Sequence, residues 1–226
     1  MDLGEKVAPA YLTSSFRGKG VADLVLNDIA RKLDKDTSEL KISYIITAGN
    51  LHPVDERGWI DEGREILKAH GCQVFDYDIE GKTQDEVRQE VSDKDVIFVQ
   101  GGQCIYMLEQ AQKCQLGEIV KEALARGVPY IGESTGSIIT GRDISPYRFL
   151  TKDRRANPPV LDSYQGMGLV NFLIRPHWNN TDKFDKYSSS IKDNFEKFYA
   201  ISEPMLFLND NQLVYVESDK FQIWEG

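Results

Sequence analysis

The sequence predicts an α/β fold around a largely parallel sheet, and three observations support that prediction. Short apolar runs alternate with longer segments in which apolar residues recur at helical spacing. A helical segment separates most of the strand-like runs, which is the pattern of βαβ units. The chain has 226 residues, a length that one domain spanning 1–226 accommodates.

Strand patterns and helical patterns alternate regularly through the first ninety residues. Gly71 follows a helical pattern in a position that suits a helix C-terminus. Thr83 precedes another helical pattern and is its expected N-cap. The predicted elements are strands at 8–16, 40–50 and 72–79 and helices at 20–33, 54–71 and 83–92.

The alternation continues to residue 134 and then changes. Residues 142–168 are rich in Pro, Arg, Asp and Gly and predict a long excursion, a kind of loop that is usually functional or disordered. The last three apolar runs predict terminal strands that are partly antiparallel. The predicted elements are strands at 95–102, 128–134, 168–178, 204–210, 212–218 and 221–226, one or two helices at 105–127, and an amphipathic helix at 182–200.

Charge and cysteine content exclude several classes of protein. The net charge of -9 argues against non-specific nucleic-acid binding. Three cysteines without a CxxC pair indicate neither a disulfide framework nor a structural zinc site. The start of the sequence lacks a signal pattern, and no apolar run approaches membrane-spanning length. We expect a soluble cytoplasmic protein without metal, cofactor, nucleic-acid or membrane partner.

The segment Gly-Glu-Ser-Thr-Gly at 132–136 fits the G-x-S-x-G pattern of a nucleophile elbow. It follows an apolar strand and precedes residues that can continue as a helix. A serine on such a turn projects from a strained backbone, and a helix N-terminus beside it favours a developing oxyanion. Ser134 is therefore either a nucleophile or a simple helix cap, and the motif by itself gives these two interpretations equal weight.

A nucleophilic serine needs a general base, which is normally histidine. The chain has three histidines. His70 lies at the end of an amphipathic helix and is expected to be a capping or surface residue, whereas His52 is expected to have a loop role. His177 follows an apolar strand at the carboxyl edge of the sheet, which makes it the best base candidate.

Several carboxylates are candidates to orient that histidine. Asp210 ends a strand pattern at the expected edge, although Asn-Asp-Asn is also favourable turn chemistry. The chain order of α/β-hydrolases would favour Asp153 or Asp162 instead. Spacing leaves these alternatives open, together with Asp143, Asp182 and Asp185.

Gly101 and Gly102 follow a strand and precede a helix. Their backbone N–H groups could form an oxyanion hole with the N–H of Thr135, although a tight βα turn is an equally good interpretation. Cys104 lies at the start of that helix, a position that can lower the pKa of a thiol. We expect it to be a packed thiol, because it has no turn motif of its own.

Four segments resemble the peptidase E family of serine peptidases, which is related to aspartyl dipeptidase and more distantly to cyanophycinase. They occur in the family's order and are FVQGGQCIYML, YIGESTGSIITGRDI, YQGMGLVNFLIRPHW and LFLNDNQLVYV. The resemblance covers nearly the whole chain, and the serine turn with the downstream Pro-His is its most specific part.

The resemblance implies a three-layer α/β fold similar to the class I glutamine amidotransferase domain, with C-terminal β-hairpin strands. It also implies a Ser-His-acid order in which the nucleophile falls on Ser134, the base on His177 and the late acid on Asp210. The oxyanion donors would be the backbones of Gly102 and Thr135. An Asp of the loop after the nucleophile, implicated in activity in the family, falls on Asp153.

The chain departs from the family's pattern in three places. Thr135 stands where the family has alanine, and this β-branched residue is expected to narrow the pocket. Gln103-Cys104 replace Asn-Thr. Between His177 and the last strands there are lysines but no arginine. Selection of an N-terminal aspartate needs a cation, preferably a guanidinium. The loop after Ser134 could supply it from Arg142, Arg148, Arg154 or Arg155, and Arg142 is the candidate for substrate binding beside Gly101 and Asp153.

We therefore expect a serine exopeptidase of the dipeptidase type that hydrolyses short peptides, with Asp-X as candidate substrates, as a monomer or homodimer. Two alternatives remain at this point. One is a non-catalytic protein that binds a small ligand on the same scaffold. The other is an esterase or amidase with the same Ser-His-Asp residues.

Overall fold

A computed structural model of the protein describes residues 7–149, 159–178, 180 and 203–226. Within these residues the strands lie where apolar runs were predicted, although most are shorter than the runs themselves. The helix predicted at 182–200 lies outside the described residues. The strands are β1 (Ala10–Thr13), β2 (Lys41–Ile45), β3 (Gln73–Tyr77), β4 (Val96–Val99), β5 (Tyr130–Glu133), β6 (Leu173–Arg175), β7 (Met205–Phe207), β8 (Gln212–Glu217) and β9 (Lys220–Glu225).

The helices connect the parallel strands, as the alternating pattern predicts. Thr83 caps one of them through a capping box with Glu86, and Gly71 follows another with a φ of 85°, a left-handed conformation that glycine adopts without steric cost. The helical pattern at 105–127 forms two helices. The helices are α1 (Val21–Leu33), α2 (Gly58–Ala69), α3 (Gln84–Glu90), α4 (Cys104–Lys113), α5 (Leu116–Ala125) and α6 (Thr135–Ile138).

The main sheet has the strand order β3-β2-β4-β5-β1-β8-β9 in the described part of the chain. The first five strands in that order run parallel to one another. Strands β8 and β9 form an antiparallel hairpin, and β8 pairs antiparallel with β1. The predicted parallel sheet and C-terminal hairpin are thus confirmed.

Strand β7 differs from what its position in the sequence suggests. It does not join the terminal hairpin but pairs in parallel with β6, through Leu173 with Met205 and Arg175 with Phe207. Strand β6 is followed by Pro176 and His177, and strand β7 is followed by Leu208, Asn209 and Asp210. The pairing therefore brings two segments that are distant in sequence to the same place.

Two apolar clusters cover the two faces of the main sheet. One contains Ile97, Val99 and Tyr130 together with residues of α4 and α5. The other contains Tyr11, Phe98 and Ile131 together with residues of α1. Alternate residues of β4 and β5 enter opposite clusters, because successive side chains of a strand point to opposite faces. Helices on both faces give the three layers.

The excursion at 142–168 is partly described. A 3₁₀ helix occupies Ser145–Phe149, and Asp143 forms an isolated antiparallel bridge with Gln165. Asp153 lies outside the described residues, so its expected role in substrate binding stays a prediction.

Candidate active site

Ser134 lies on the turn between β5 and α6 with a φ of 50° and a ψ of -102°. A positive φ is uncommon for a residue with a side chain and costs about 1–3 kcal/mol. Positions 132 and 136 on either side of Ser134 must be glycine, because other backbone atoms approach them closely. A Cβ on Gly132 would lie 2.6 Å from the Gly136 carbonyl carbon, and one on Gly136 would lie 2.1 Å from the Val99 oxygen. The Ser134 hydroxyl makes no capping bond to α6, so the simple cap interpretation does not describe it.

His177 lies two residues after β6, also with a positive φ of 60°. Its ring Nε2 lies 2.9 Å from the Ser134 Oγ. The imidazole side chain is 14% exposed, so the contact is largely shielded from water. The predicted base candidate is therefore within hydrogen-bond distance of the predicted nucleophile.

Asp210 lies on the turn between β7 and β8, and its Oδ1 is 2.5 Å from His177 Nδ1. The other carboxylate oxygen accepts a hydrogen bond of 3.3 Å from the Asn180 side chain. Behind the turn, a Cβ on Gly18 would lie 1.9 Å from the Asp210 carbonyl oxygen. Glycine at position 18 thus lets the loop after β1 approach the backbone that carries the carboxylate.

The sheet order explains why these three residues meet. Strand β1 lies between β5 and β8, so the end of β5, which carries Ser134, and the start of β8, which follows Asp210, flank the end of β1. Because β8 runs antiparallel, its first residue lies at the carboxyl edge of the parallel strands. This is the edge where functional groups gather in open α/β sheets.

Two of the other acid candidates have surroundings that differ from those of Asp210. Asp162 is exposed, and Asp143 accepts hydrogen bonds from the backbone and side chain of Ser145. The three residues in contact therefore occur in the chain order Ser, His, Asp, and not in the α/β-hydrolase order of Ser, acid, His. Asp153, Asp182 and Asp185 lie outside the described residues.

Gly101 and Gly102 lie directly beside the serine turn, but their backbone N–H groups differ in hydrogen bonding. The N–H of Gly101 donates to its neighbour, the Gln100 side chain, and a Cβ on Gly101 would lie 3.2 Å from Ser134 Cβ. Among the described residues the N–H groups of Gly102 and Thr135 have no hydrogen-bond acceptor. Two donors without an acceptor are what the predicted oxyanion hole requires.

Thr135 connects the two loops that carry these donors. Its hydroxyl donates a hydrogen bond of 2.6 Å to the Gly102 carbonyl oxygen. Gly102 has a φ of 153°, and a Cβ there would lie 2.3 Å from the Ala48 oxygen. Thr135 is 2% exposed, so this bond is kept from competing water. The β-branched Thr135, which was expected to narrow the pocket, joins the two loops through its hydroxyl.

Trp59 supports the same loop from the other side, a role that the sequence did not indicate. Its indole Nε1 donates a hydrogen bond of 3.2 Å to the Gly101 carbonyl oxygen. The His52 ring packs edge-on against the indole with centroids 4.9 Å apart, which agrees with the expected loop role of His52. A tryptophan inside a helical pattern carries no local signal for this contact.

Arg142 lies on an exposed turn after α6. Its backbone oxygen accepts a hydrogen bond from Gly166, and no hydrogen bond or ion pair in the described part of the chain connects its guanidinium to Ser134, His177 or Asp210. Arg17 is a cation on the loop after β1, where its Nε lies 3.7 Å from the buried Glu133 carboxylate. Its guanidinium also donates to Glu62 at 2.6 Å.

Cys104 is buried, as expected of a packed thiol. Burial raises the pKa of this thiol well above its usual range, because a thiolate loses its hydration in an apolar environment. Cys104 therefore lacks the exposure and the lowered pKa that are typical of reactive cysteines.

Neither a membrane-spanning helix nor a metal cluster is found in the described part of the chain. No helix there combines the length and the apolar character that a membrane crossing requires. No group of three or more His, Cys, Asp or Glu residues there could hold a metal ion.

Comparisons with known proteins agree with the geometry. An uncharacterized peptidase of Listeria monocytogenes is 28% identical over 76% of this chain and 78% of its own length. A probable alpha-aspartyl dipeptidase of Drosophila melanogaster is 29% identical over 66% of this chain and 61% of its own length. Both relatives carry names of peptidases.

A solved structure has the same fold. The crystal structure of a putative peptidase E protein from L. monocytogenes superposes with a TM-score of 0.77 over 97% of this chain and 98% of that one, at 21% identity. The sequence model of peptidase family S51 matches residues 11–224, which is nearly the whole chain. The chain therefore belongs to peptidase family S51 and is a serine peptidase.

Proposed function

We propose that this peptidase hydrolyses short peptides as an exopeptidase through an acyl-enzyme formed on Ser134. The observation that supports this most directly is the continuous contact from Ser134 Oγ to His177 Nε2 at 2.9 Å and from His177 Nδ1 to Asp210 at 2.5 Å. The three residues match the order of nucleophile, base and orienting acid that acyl transfer needs.

The proposed reaction has two steps. His177 Nε2 takes the Ser134 proton as Oγ attacks the scissile carbonyl carbon, and the resulting imidazolium then protonates the leaving amine. Water, activated by the same imidazole, attacks the acyl-enzyme and releases the second product. Asp210 accepts a hydrogen bond from the Nδ1–H group throughout, which keeps the Nε2 lone pair directed at Ser134 and stabilises the imidazolium.

The N–H groups of Gly102 and Thr135 would stabilise the tetrahedral oxyanion. Both lack a hydrogen-bond acceptor among the described residues, and Thr135 begins α6, whose N-terminal amides carry partial positive charge. The bond from the Thr135 hydroxyl to Gly102 holds the two donor loops together. Donors held in place before the reaction are worth about 10²–10³ in rate each.

The name of the Drosophila relative makes Asp-X dipeptides the first substrates to test. Such peptides need a cation for the aspartate side chain, and Arg17 at the same sheet edge is already paired with Glu62 and near Glu133. A panel of Asp-X, Glu-X and neutral dipeptides, with N-acetylated versions, would define the preference and the need for a free amine.

The first test of the chemistry is labelling with a fluorophosphonate, followed by intact-mass spectrometry. The Ser134 oxygen should bond to phosphorus, fluoride should leave, and one adduct should appear on the wild type. Ser134→Ala should take no label and lose dipeptide hydrolysis, while remaining folded. Ser145→Ala is the matched control, because the Ser145 hydroxyl donates to Asp143 without a histidine between them. Labelling of Ser134→Ala at the wild-type rate would contradict the proposal.

A further inference from the structure

Ser14 lies one residue after β1, in the middle of the edge where the reactive groups meet. The residue is fully buried, at 0% exposure. Its backbone N–H donates a hydrogen bond of 3.2 Å to the Gln212 oxygen at the start of β8. Ser14 is thus attached to the strand that follows the Asp210 turn.

The Ser14 hydroxyl contacts both partners of the His-Asp pair. It accepts a hydrogen bond of 2.7 Å from the backbone N–H of His177. Its own proton faces Asp210 Oδ1 at 3.1 Å and the Leu208 carbonyl oxygen at 3.3 Å. A hydroxyl has a single proton to donate, and the charged carboxylate is the stronger acceptor of the two.

These contacts act on atoms that determine the geometry of the pair. The Oδ1 atom that faces Ser14 is the same oxygen that faces His177 Nδ1. The backbone N–H that Ser14 accepts belongs to a residue with a φ of 60°, a conformation that persists only when its surroundings hold it. One hydroxyl therefore restrains the histidine backbone and the aspartate side chain together.

We propose that Ser14 is a positioning residue that holds His177 and Asp210 in register with Ser134. The inference rests on the proposed function, because it concerns the efficiency of the same three residues. Ser14 has no exposed surface, so it acts through His177 and Asp210 and not on the substrate. Its loss should slow acylation without weakening peptide binding.

The test is the rate of fluorophosphonate labelling, because the probe reports on the nucleophile and base without a peptide contact. Ser14→Ala removes the hydroxyl that accepts from the His177 N–H and that donates to Asp210 Oδ1. We expect labelling to slow about tenfold, which corresponds to about 1.4 kcal/mol in the barrier. In dipeptide hydrolysis, kcat should fall by a similar factor while KM stays within about twofold.

Ser15→Ala is the matched control. Ser15 is the next residue in the same loop and is also buried, at 5% exposure, but its hydroxyl makes no hydrogen bond within the described residues. Labelling by this variant should remain at the wild-type rate. Ser14→Cys is the second test variant, because a thiol nearly fills the same space but is a weak hydrogen-bond donor and acceptor, and it decides the question if Ser14→Ala does not fold.

The outcomes distinguish the inference from the proposed function. Absence of labelling on the folded wild type would overturn both. If the wild type is labelled normally and folded Ser14→Ala or Ser14→Cys is labelled at the same rate, the inference alone is overturned. A variant with a lower melting temperature but an unchanged labelling rate would overturn it as well. Equal slowing in Ser15→Ala would also overturn it, because the effect would then belong to the loop and not to the Ser14 hydroxyl.

Discussion

The described part of the chain contains two histidine-aspartate contacts in different places, and they differ in what the second ring nitrogen faces. His177 Nδ1 faces Asp210 and its Nε2 faces the Ser134 hydroxyl. His70, at the C-terminus of α2, faces Asp23 through Nε2 at 2.9 Å and the Ile66 carbonyl oxygen through Nδ1 at 2.8 Å.

This difference decides which form of each ring can hydrogen-bond to both of its neighbours. Both neighbours of His70 can only accept, so only the imidazolium can donate to both. The hydrogen bond to the Ile66 carbonyl accordingly raises the pKa of His70 above 6.5. Burial acts in the opposite direction, and the Asp23 carboxylate again raises the pKa. A neutral His177 can donate from Nδ1 to Asp210 and still accept the Ser134 proton at Nε2. A histidine-aspartate contact is thus a charged cap in one region and suits a general base in the other.

Replacement of the two histidines should give the largest contrast. His177→Gln removes the proposed base, and dipeptide hydrolysis should fall on the order of 10³-fold, within the range typical of general-base catalysis. His70→Gln should retain activity within about twofold, because α2 carries it away from Ser134. Steady-state kinetics of both variants tests this, and comparable losses in the two would remove the distinction between the regions.

The two aspartates provide the next contrast. Asp210→Asn can donate to Nδ1, which favours the tautomer whose proton is on Nε2 and which cannot accept from Ser134. The Asp210 side chain is 28% exposed, so water can compensate in part, and we expect a loss on the order of 10²-fold in kcat. Asp23→Asn should leave kcat unchanged. Retention of full kcat by Asp210→Asn would show that another acceptor holds His177.

The smallest expected effect concerns stability and pH. The folded pKa of His70 is raised above its ordinary value of 6.5, so its stabilisation is complete below that value and is lost as the pH rises through the folded pKa. Wild type should exceed His70→Gln in stability at pH 5.5 by under about 1 kcal/mol, because the contact is screened by solvent.

Urea unfolding of wild type and His70→Gln at pH 5.5 and pH 9 measures this difference. The gap should nearly close at pH 9, where the ring is neutral. A gap that widens with pH would mean that neutral His70 is the stabilising form.

Local patterns predicted most of the fold, because each βα unit repeats the same alternation. The positions of β1, β4 and β5 follow from their apolar runs, and Thr83 begins its helix as its capping chemistry predicts. The partner of β7 could not be predicted in this way. Three apolar residues are compatible with a hairpin or with a parallel pair, and only the contact with β6 decides between them.

In the site too, features that depend on neighbouring residues could be predicted, whereas features that depend on distant strands could not. The Ser134 turn has a local signature, since Gly132 and Gly136 are required by backbone contacts next to it. The choice among carboxylates stayed open because Asp210 reaches His177 only through the order of distant strands. The position of Ser14 after a strand places it at the carboxyl edge of the sheet, but the sequence assigned no role to its hydroxyl. Trp59 had no signal, because a tryptophan in a helix is ordinary. The catalytic roles themselves stay predictions.

The pairing of β1 with β8 has a consequence for how the enzyme matures. Ala10 pairs with Val216, and Ser14 meets Asp210 across 196 positions of the chain. Contacts this distant in sequence form late and slowly, because a long loop must close first. A nascent chain that stops before β8 contains Ser134 and His177 but cannot yet hold the Asp210 turn against β1. Hydrolytic activity should therefore appear only after the last hairpin has docked, as the final event of folding.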